Sequence, residues 1–150
     1  MKKTLKTLLA TFVCLFVAAT GFAQSPIGIW ITIDDNDQKP RSEVEIYEED
    51  GKLYGRVLKI FPRPDDNAEN ICEKCDEDDP RYMQPVEGMQ IIRDLKQDGD
   101  EWNGGKILDP ANGEEYKCYI TLESEDRLKL RGYIGFSLLG RTQYWNRKKS

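Results

Sequence analysis

Histidine is absent from the 150 residues. Its absence removes Ser-His and Cys-His nucleophile systems, HExxH zinc sites and imidazole as a general base. Cysteine is sparse, with four in the whole chain. No internal repeat and no low-complexity tail is present. Beyond the first residues no apolar stretch keeps a helical period for three turns, which argues against a helical bundle. Cations are in deficit: 22 Lys and Arg face 27 Asp and Glu, a net charge of −5. That balance disfavours nucleic acid and anionic membrane surfaces as partners, both being negative themselves.

What is present begins with a leader. Lys2, Lys3 and Lys6 precede an apolar run from Leu8 to Ala19, and Gly21-Phe22-Ala23 supplies the small residues read by a signal peptidase. The run is shorter than the ~18–20 residues that span a bilayer. The reading is therefore a signal peptide over 1–23, cleaved after Ala23, with no stable membrane insertion afterwards and export to the periplasm or beyond. Cys14 leaves with it. Loss of the three lysines takes the net charge from −5 to −8. Residues 24–150 are of a size for one domain.

The mature part reads as β-strands. Gly28 to Ile33 is a strand with few polar members. Ser42 to Tyr47 alternates and meets Leu53 to Phe61 across the Asp50-Gly51 turn, a hairpin signal. Met89 to Leu95 and Trp102 to Leu108 flank Asp98-Gly99-Asp100, and Tyr116 to Leu122 alternates after the Asp109–Gly113 turn. A last hairpin joins Leu128–Ile134 to Leu139–Trp145 through Gly135–Ser137. In it Leu128, Leu130, Gly132 and Ile134 share one face with Lys129, Arg131 and Tyr133 opposite, because side chains in a strand alternate. About eight strands at this spacing predict an all-β fold, a small antiparallel barrel in which the last hairpin pairs with the strand holding Trp30.

Between Pro62 and Gly88 the alternation stops. Four prolines and nine carboxylates make this segment a long acidic loop, with at most a turn or two of helix expected within Asp65–Gln84. Cys72 and Cys75 sit in its middle. Export makes them candidates for a bridge. Either Cys72 bonds Cys75 and leaves Cys118 as a small buried apolar residue, or one of the pair reaches Cys118. A redox Cys-x-x-Cys is disfavoured, since Glu69, Glu73, Asp76 and Glu77 oppose a thiolate and only Lys74 helps it.

Taken together, Gly28-x-Trp30, Leu53-Tyr54-Gly55-Arg56-Val57, Cys72-x-x-Cys75, Trp102-x-Gly104-Gly105-x-Ile107-x-Asp109-Pro110, Gly113-x-x-Tyr116-x-Cys118 and Leu130–Gly135 with Leu138–Thr142 and Trp145 resemble the exported bacterial proteins grouped as DUF2147. The resemblance spans the mature chain in order. It implies a calycin or lipocalin-like barrel, in which Trp30 plugs one end and Arg147 or Arg141 packs over its ring, a contact worth ~0.5–2 kcal/mol.

Such a barrel suits an exported small-ligand-binding protein, the ligand having an apolar body and an anionic head. Tyr54, Arg56, Tyr116, Tyr119, Arg131, Tyr133, Arg141 and Tyr144 are the expected wall residues, because aromatics interleaved with arginines match such a molecule. Strands are rich in tyrosine, so each one taken singly also fits an ordinary half-buried position. The alternative is a cell-envelope interaction module using the Pro62–Gly88 loop. No catalytic constellation stands out, and the chain is expected not to be an enzyme. Neither a metal nor a cofactor is expected: zinc would need all three mature cysteines, and Asp76–Asp79 lacks EF-hand spacing.

Overall fold

A computed structural model describes residues 24–150, and the expected leader lies outside the described residues. Eight strands follow one another: β1 (Gly28–Ile33), β2 (Pro40–Glu49), β3 (Lys52–Ile60), β4 (Gln90–Asp98), β5 (Glu101–Asp109), β6 (Glu114–Ser124), β7 (Arg127–Tyr133) and β8 (Gly140–Arg147). Each pairs antiparallel with its neighbours in the chain, and β8 returns to β1. The closure is made by Trp30 opposite Arg147 and Ile31 opposite Asn146. The result is a closed antiparallel barrel of lipocalin-like form.

Alternation decides which residues face inward. In β2 Val44 and Ile46 are buried, in β6 Cys118 and Ile120, in β7 Leu128 and Leu130, and in β8 Trp145. Each fully buried aliphatic side chain stabilises the fold by ~1.5–3 kcal/mol over exposure. The last strand starts one residue later than its sequence suggests and runs on to Arg147. Leu139 belongs instead to the connection, where its N–H donates to the Phe136 carbonyl at 2.9 Å.

Because the strands alternate in direction, the connections sort to two ends. The β1–β2, β3–β4, β5–β6 and β7–β8 connections ring one end. The three tight turns, with the segments before β1 and after β8, gather at the other. Inside, the second end is filled by Trp30, Trp145, Leu128, Ile120, Leu95 and Ile46, all at most 1% exposed. The first end holds a cavity and has the β3–β4 connection folded against it.

Candidate functional site

At the filled end Trp30 is completely buried, and its indole N–H donates to the Pro26 carbonyl at 2.8 Å. The Arg147 guanidinium lies 4.2 Å from the centre of its ring. From there Arg147 donates to the carbonyls of Glu125 at 2.5 Å, Ile27 at 3.0 Å and Ser25 at 2.8 Å. One side chain thus ties the segment before β1 to the β6–β7 turn across the ring. Gly28 makes room for it, since a Cβ there, at φ 140°, would meet Arg147 Nη1 at 2.7 Å. Of the two arginines expected over the indole, Arg147 is the one.

The β3–β4 connection is folded against the opposite end. Asn67 closes a local turn, donating to the Ile71 carbonyl at 3.0 Å and accepting from the Ile71 N–H at 3.1 Å. Two ladder-like contacts then hold the segment to itself, Cys72 N–H to Gln84 carbonyl at 2.9 Å and Val86 N–H to Asn70 carbonyl at 2.8 Å. Asp65–Gln84 contains turns and no helix. Cys72 and Cys75 are bonded to each other, S–S 2.01 Å, and at 0% and 4% exposure they join the core of the barrel. The bridge therefore sits in a packed segment of the acidic loop. Cys118 stays a free thiol inside the barrel, its pKa pushed up to about 12 by burial.

Ion pairs fasten this segment to the barrel from outside. Glu115 on β6 accepts from Arg93 at 2.7 Å, from Arg81 at 3.0 Å and from Lys106 at 3.2 Å, and Arg81 also grips Asp79 at 2.6 Å. The Arg93 hydrogen bond is the largest influence drawing Glu115 down from 4.5 to about 2, and the Arg81 hydrogen bond does the same for Asp79, from 3.8 to about 2. Folded values below unfolded ones mean that the cluster stabilises fully above about pH 4.5 and fades as pH falls toward 2. Urea midpoints are expected to hold from pH 7 to 5 and then drop, with Glu115→Gln less stable at pH 7 and shallower in acid. A Glu115→Gln acid slope equal to that of the parent would remove this account.

Within the ring of connections lies a cavity of about 1210 Å³, large enough for a drug-sized ligand. Val57, Ile60, Ile107, Leu108 and Leu130 make an apolar floor above the packed end. The hydroxyls of Thr32 and Ser42, 2.7 Å apart, face the same space, as does the Tyr116 ring. Ile71 and Val86 of the β3–β4 connection form one wall. The rim is charged and paired: Arg41 with Asp66, Arg63 with Asp37, and Arg141 with Asp35 at 2.9 Å. Along one side the β7–β8 connection raises an apolar lip, with Phe136 76% and Leu138 89% exposed. Arg131 holds its base by donating to the Ser137 and Leu138 carbonyls.

A family model described as an uncharacterized protein conserved in bacteria, DUF2147, matches residues 28–147, which takes in all eight strands. The chain belongs to the DUF2147 family. Its fold is similar to that of protein HP1028 from Helicobacter pylori, described as belonging to the lipocalin family, at a TM-score of 0.69 over 84% of each chain. At 21% identity that likeness speaks to the fold. A search of curated proteins finds no match.

In this DUF2147 barrel three of the eight expected wall residues, Tyr116, Tyr133 and Arg141, border the cavity. The other five lie on the outer wall. Tyr54 stacks on Tyr47 at 5.9 Å and its hydroxyl points to Asp94. Arg56 pairs with Glu45 at 2.7 Å, and Tyr119 neighbours Tyr133 at 6.4 Å. Arg131 caps the lip, and Tyr144 lies under Arg127 at 4.4 Å. The physical reason is plain: an outer wall in water carries the polar and aromatic members of each strand, and the aliphatic members turn inward. The floor residues are the partners of that alternation, readable from the inward face of β7. Ile71 and Val86 had no such signal, because no periodicity connects them to the barrel.

Proposed function

We propose that this protein is an exported binding protein of calycin type, which takes a small ligand with an apolar body through the ring of four connections. The observation that carries the reading is the cavity itself: about 1210 Å³ beside an apolar floor of Val57, Ile107 and Leu130, within the ring of connections. Apolar area removed from water supplies most of the affinity for such a ligand, and the few polar groups along the wall set its orientation. In the cell the leader would deliver the chain across the inner membrane, where the Cys72–Cys75 bridge is stable.

Gly132 offers a direct test. A Cβ there would lie 3.6 Å from Tyr116 and 3.7 Å from Ile107, ordinary contacts, and Gly132 borders the cavity, so a larger side chain is expected to take up ligand space there. The chain is produced with its own leader and recovered from the periplasm, with Gln24 expected at its N-terminus. It should bind the neutral fluorophore N-phenyl-1-naphthylamine saturably, and Gly132→Leu should weaken that binding at least tenfold while leaving the melting temperature within a few degrees. Equal binding by both proteins, or none by the parent, rejects the cavity as a binding site.

A further inference from the structure

We infer that the ligand is an amphiphile with a cationic head, and that anionic amphiphiles are selected against at the rim. This rests on the cavity being a binding site and concerns only the head group that the rim accepts.

Seven carboxylates and four cations border the cavity. Three of those cations are already engaged. Arg41 makes a two-pronged contact with Asp66, at 2.9 and 2.5 Å, and also donates to the Phe61 carbonyl at 2.9 Å. Arg63 reaches Asp37 and the Pro40 carbonyl, both at 3.2 Å. Arg141 holds Asp35 at 2.9 Å. Once these pairs are set aside, Asp34, Asp65, Glu73 and Asp109 border the cavity with Lys74, Asp34 accepting from the Asn36 N–H at 2.8 Å and Asp109 from the Ala111 N–H at 3.0 Å. None of these five makes an ion pair among the described residues.

An anionic head at this rim has two choices. It can displace a carboxylate from a guanidinium that the fold has already satisfied, or it can sit among carboxylates with one lysine for company. Either is unfavourable. A cationic head meets the surplus without breaking a contact, and the net charge of −8 over residues 24–150 adds an attraction of the same sign at longer range. The apolar floor sets the rest of the molecule, since Val57, Ile107 and Leu130 offer no partner for a second charge. Of the three arginines that make the sequence look suited to an anion, Arg56 and Arg131 are on the outer wall, bound to Glu45 and to the base of the lip, and Arg141, at the rim, is held by Asp35.

The test compares three probes with one twelve-carbon chain and different heads, dodecylamine, dodecanol and dodecanoate, each below its micellar concentration, by titration calorimetry at pH 7 and low salt. Asp65 and Glu73 are the residues to neutralise, because their side chains are exposed and make no hydrogen bond within the protein. The amine is expected to bind at least roughly tenfold more tightly than the carboxylate, as a charge at a few ångströms across a wet rim allows. In the double variant Asp65→Asn, Glu73→Gln the gap should narrow about threefold or more, and it should narrow in 0.5 M salt by screening. Gly132→Leu should weaken all three probes together. Dodecanoate binding as tightly as the amine, with dodecanol also bound, overturns the head assignment and leaves the cavity reading standing. A gap unmoved by the double variant, or amine binding untouched by Gly132→Leu, overturns it as well. Failure of all three probes removes both readings.

Discussion

Trp30→Ala is expected to cost the fold about 3–5 kcal/mol, the range for emptying a fully buried tryptophan site. On a domain of this size that is a fall in melting temperature on the order of 10–20 °C. Three losses coincide. The indole is wholly buried, its N–H satisfies the Pro26 carbonyl, and its ring face carries the Arg147 guanidinium. Removing it leaves the layer formed with Trp145 and Leu128 unfilled and frees Arg147 from its platform. Arg147→Lys separates these contributions: lysine keeps the charge yet has no planar fork for the carbonyls of Ser25, Ile27 and Glu125. A smaller loss, of about 1–2 kcal/mol, is expected there. Thermal unfolding of both variants followed by near-ultraviolet circular dichroism decides the matter. A Trp30→Ala protein within about 1 kcal/mol of the parent would mean that the end is not sealed by this residue.

The second large effect is expected at Gly113, in the β5–β6 turn. Its φ is 76°, a left-handed conformation that costs a side chain ~1–2 kcal/mol. A Cβ there would also overlap the Lys74 carbonyl and crowd the Cys75 N–H, so the turn and the disulfide segment touch backbone to backbone. Crowding of that kind adds ~1–3 kcal/mol, since neither partner is a flexible side chain. Gly113→Ala should therefore lose about 2–5 kcal/mol in total. The loss should be local first, with limited proteolysis cutting between Pro62 and Gly88 before the barrel melts. Parental protease resistance together with a parental melting temperature would show that the turn does not seat the segment.

Much of the barrel is legible in the residues. Leu128, Leu130 and Trp145 alternate with charged neighbours, and strict two-residue periodicity has one inward solution once a core must form. Gly28-x-Trp30 and the arginine of the last strand are legible for the same reason, because each is fixed by its position within a strand. The site was less so. Tyr54, Arg56, Tyr119, Arg131 and Tyr144 have the chemistry of a ligand wall and occupy the outside. Residue type does not say which face of a closed sheet meets water, and in a small barrel the richer chemistry is displayed outward. The Pro62–Gly88 segment was legible only as an interruption. Its shape comes from the pairing of Asn70 and Cys72 with Val86 and Gln84, and from the distant partners Arg41 and Glu115, contacts that local pattern does not encode. The choice between a Cys72–Cys75 bridge and one to Cys118 was likewise settled by placement, Cys118 facing the interior of β6.

Seven of the eight strand junctions join consecutive strands and can zip from nearby sequence. The eighth, Trp30 and Ile31 against Arg147 and Asn146, is two residue pairs long and brings together opposite extremes of the domain. Its loop entropy must be met before its contacts exist to reward it. The meeting of those two edges is thus expected to come late in folding, and until it happens β1 and β8 are bare edges able to pair with those of another unfinished molecule.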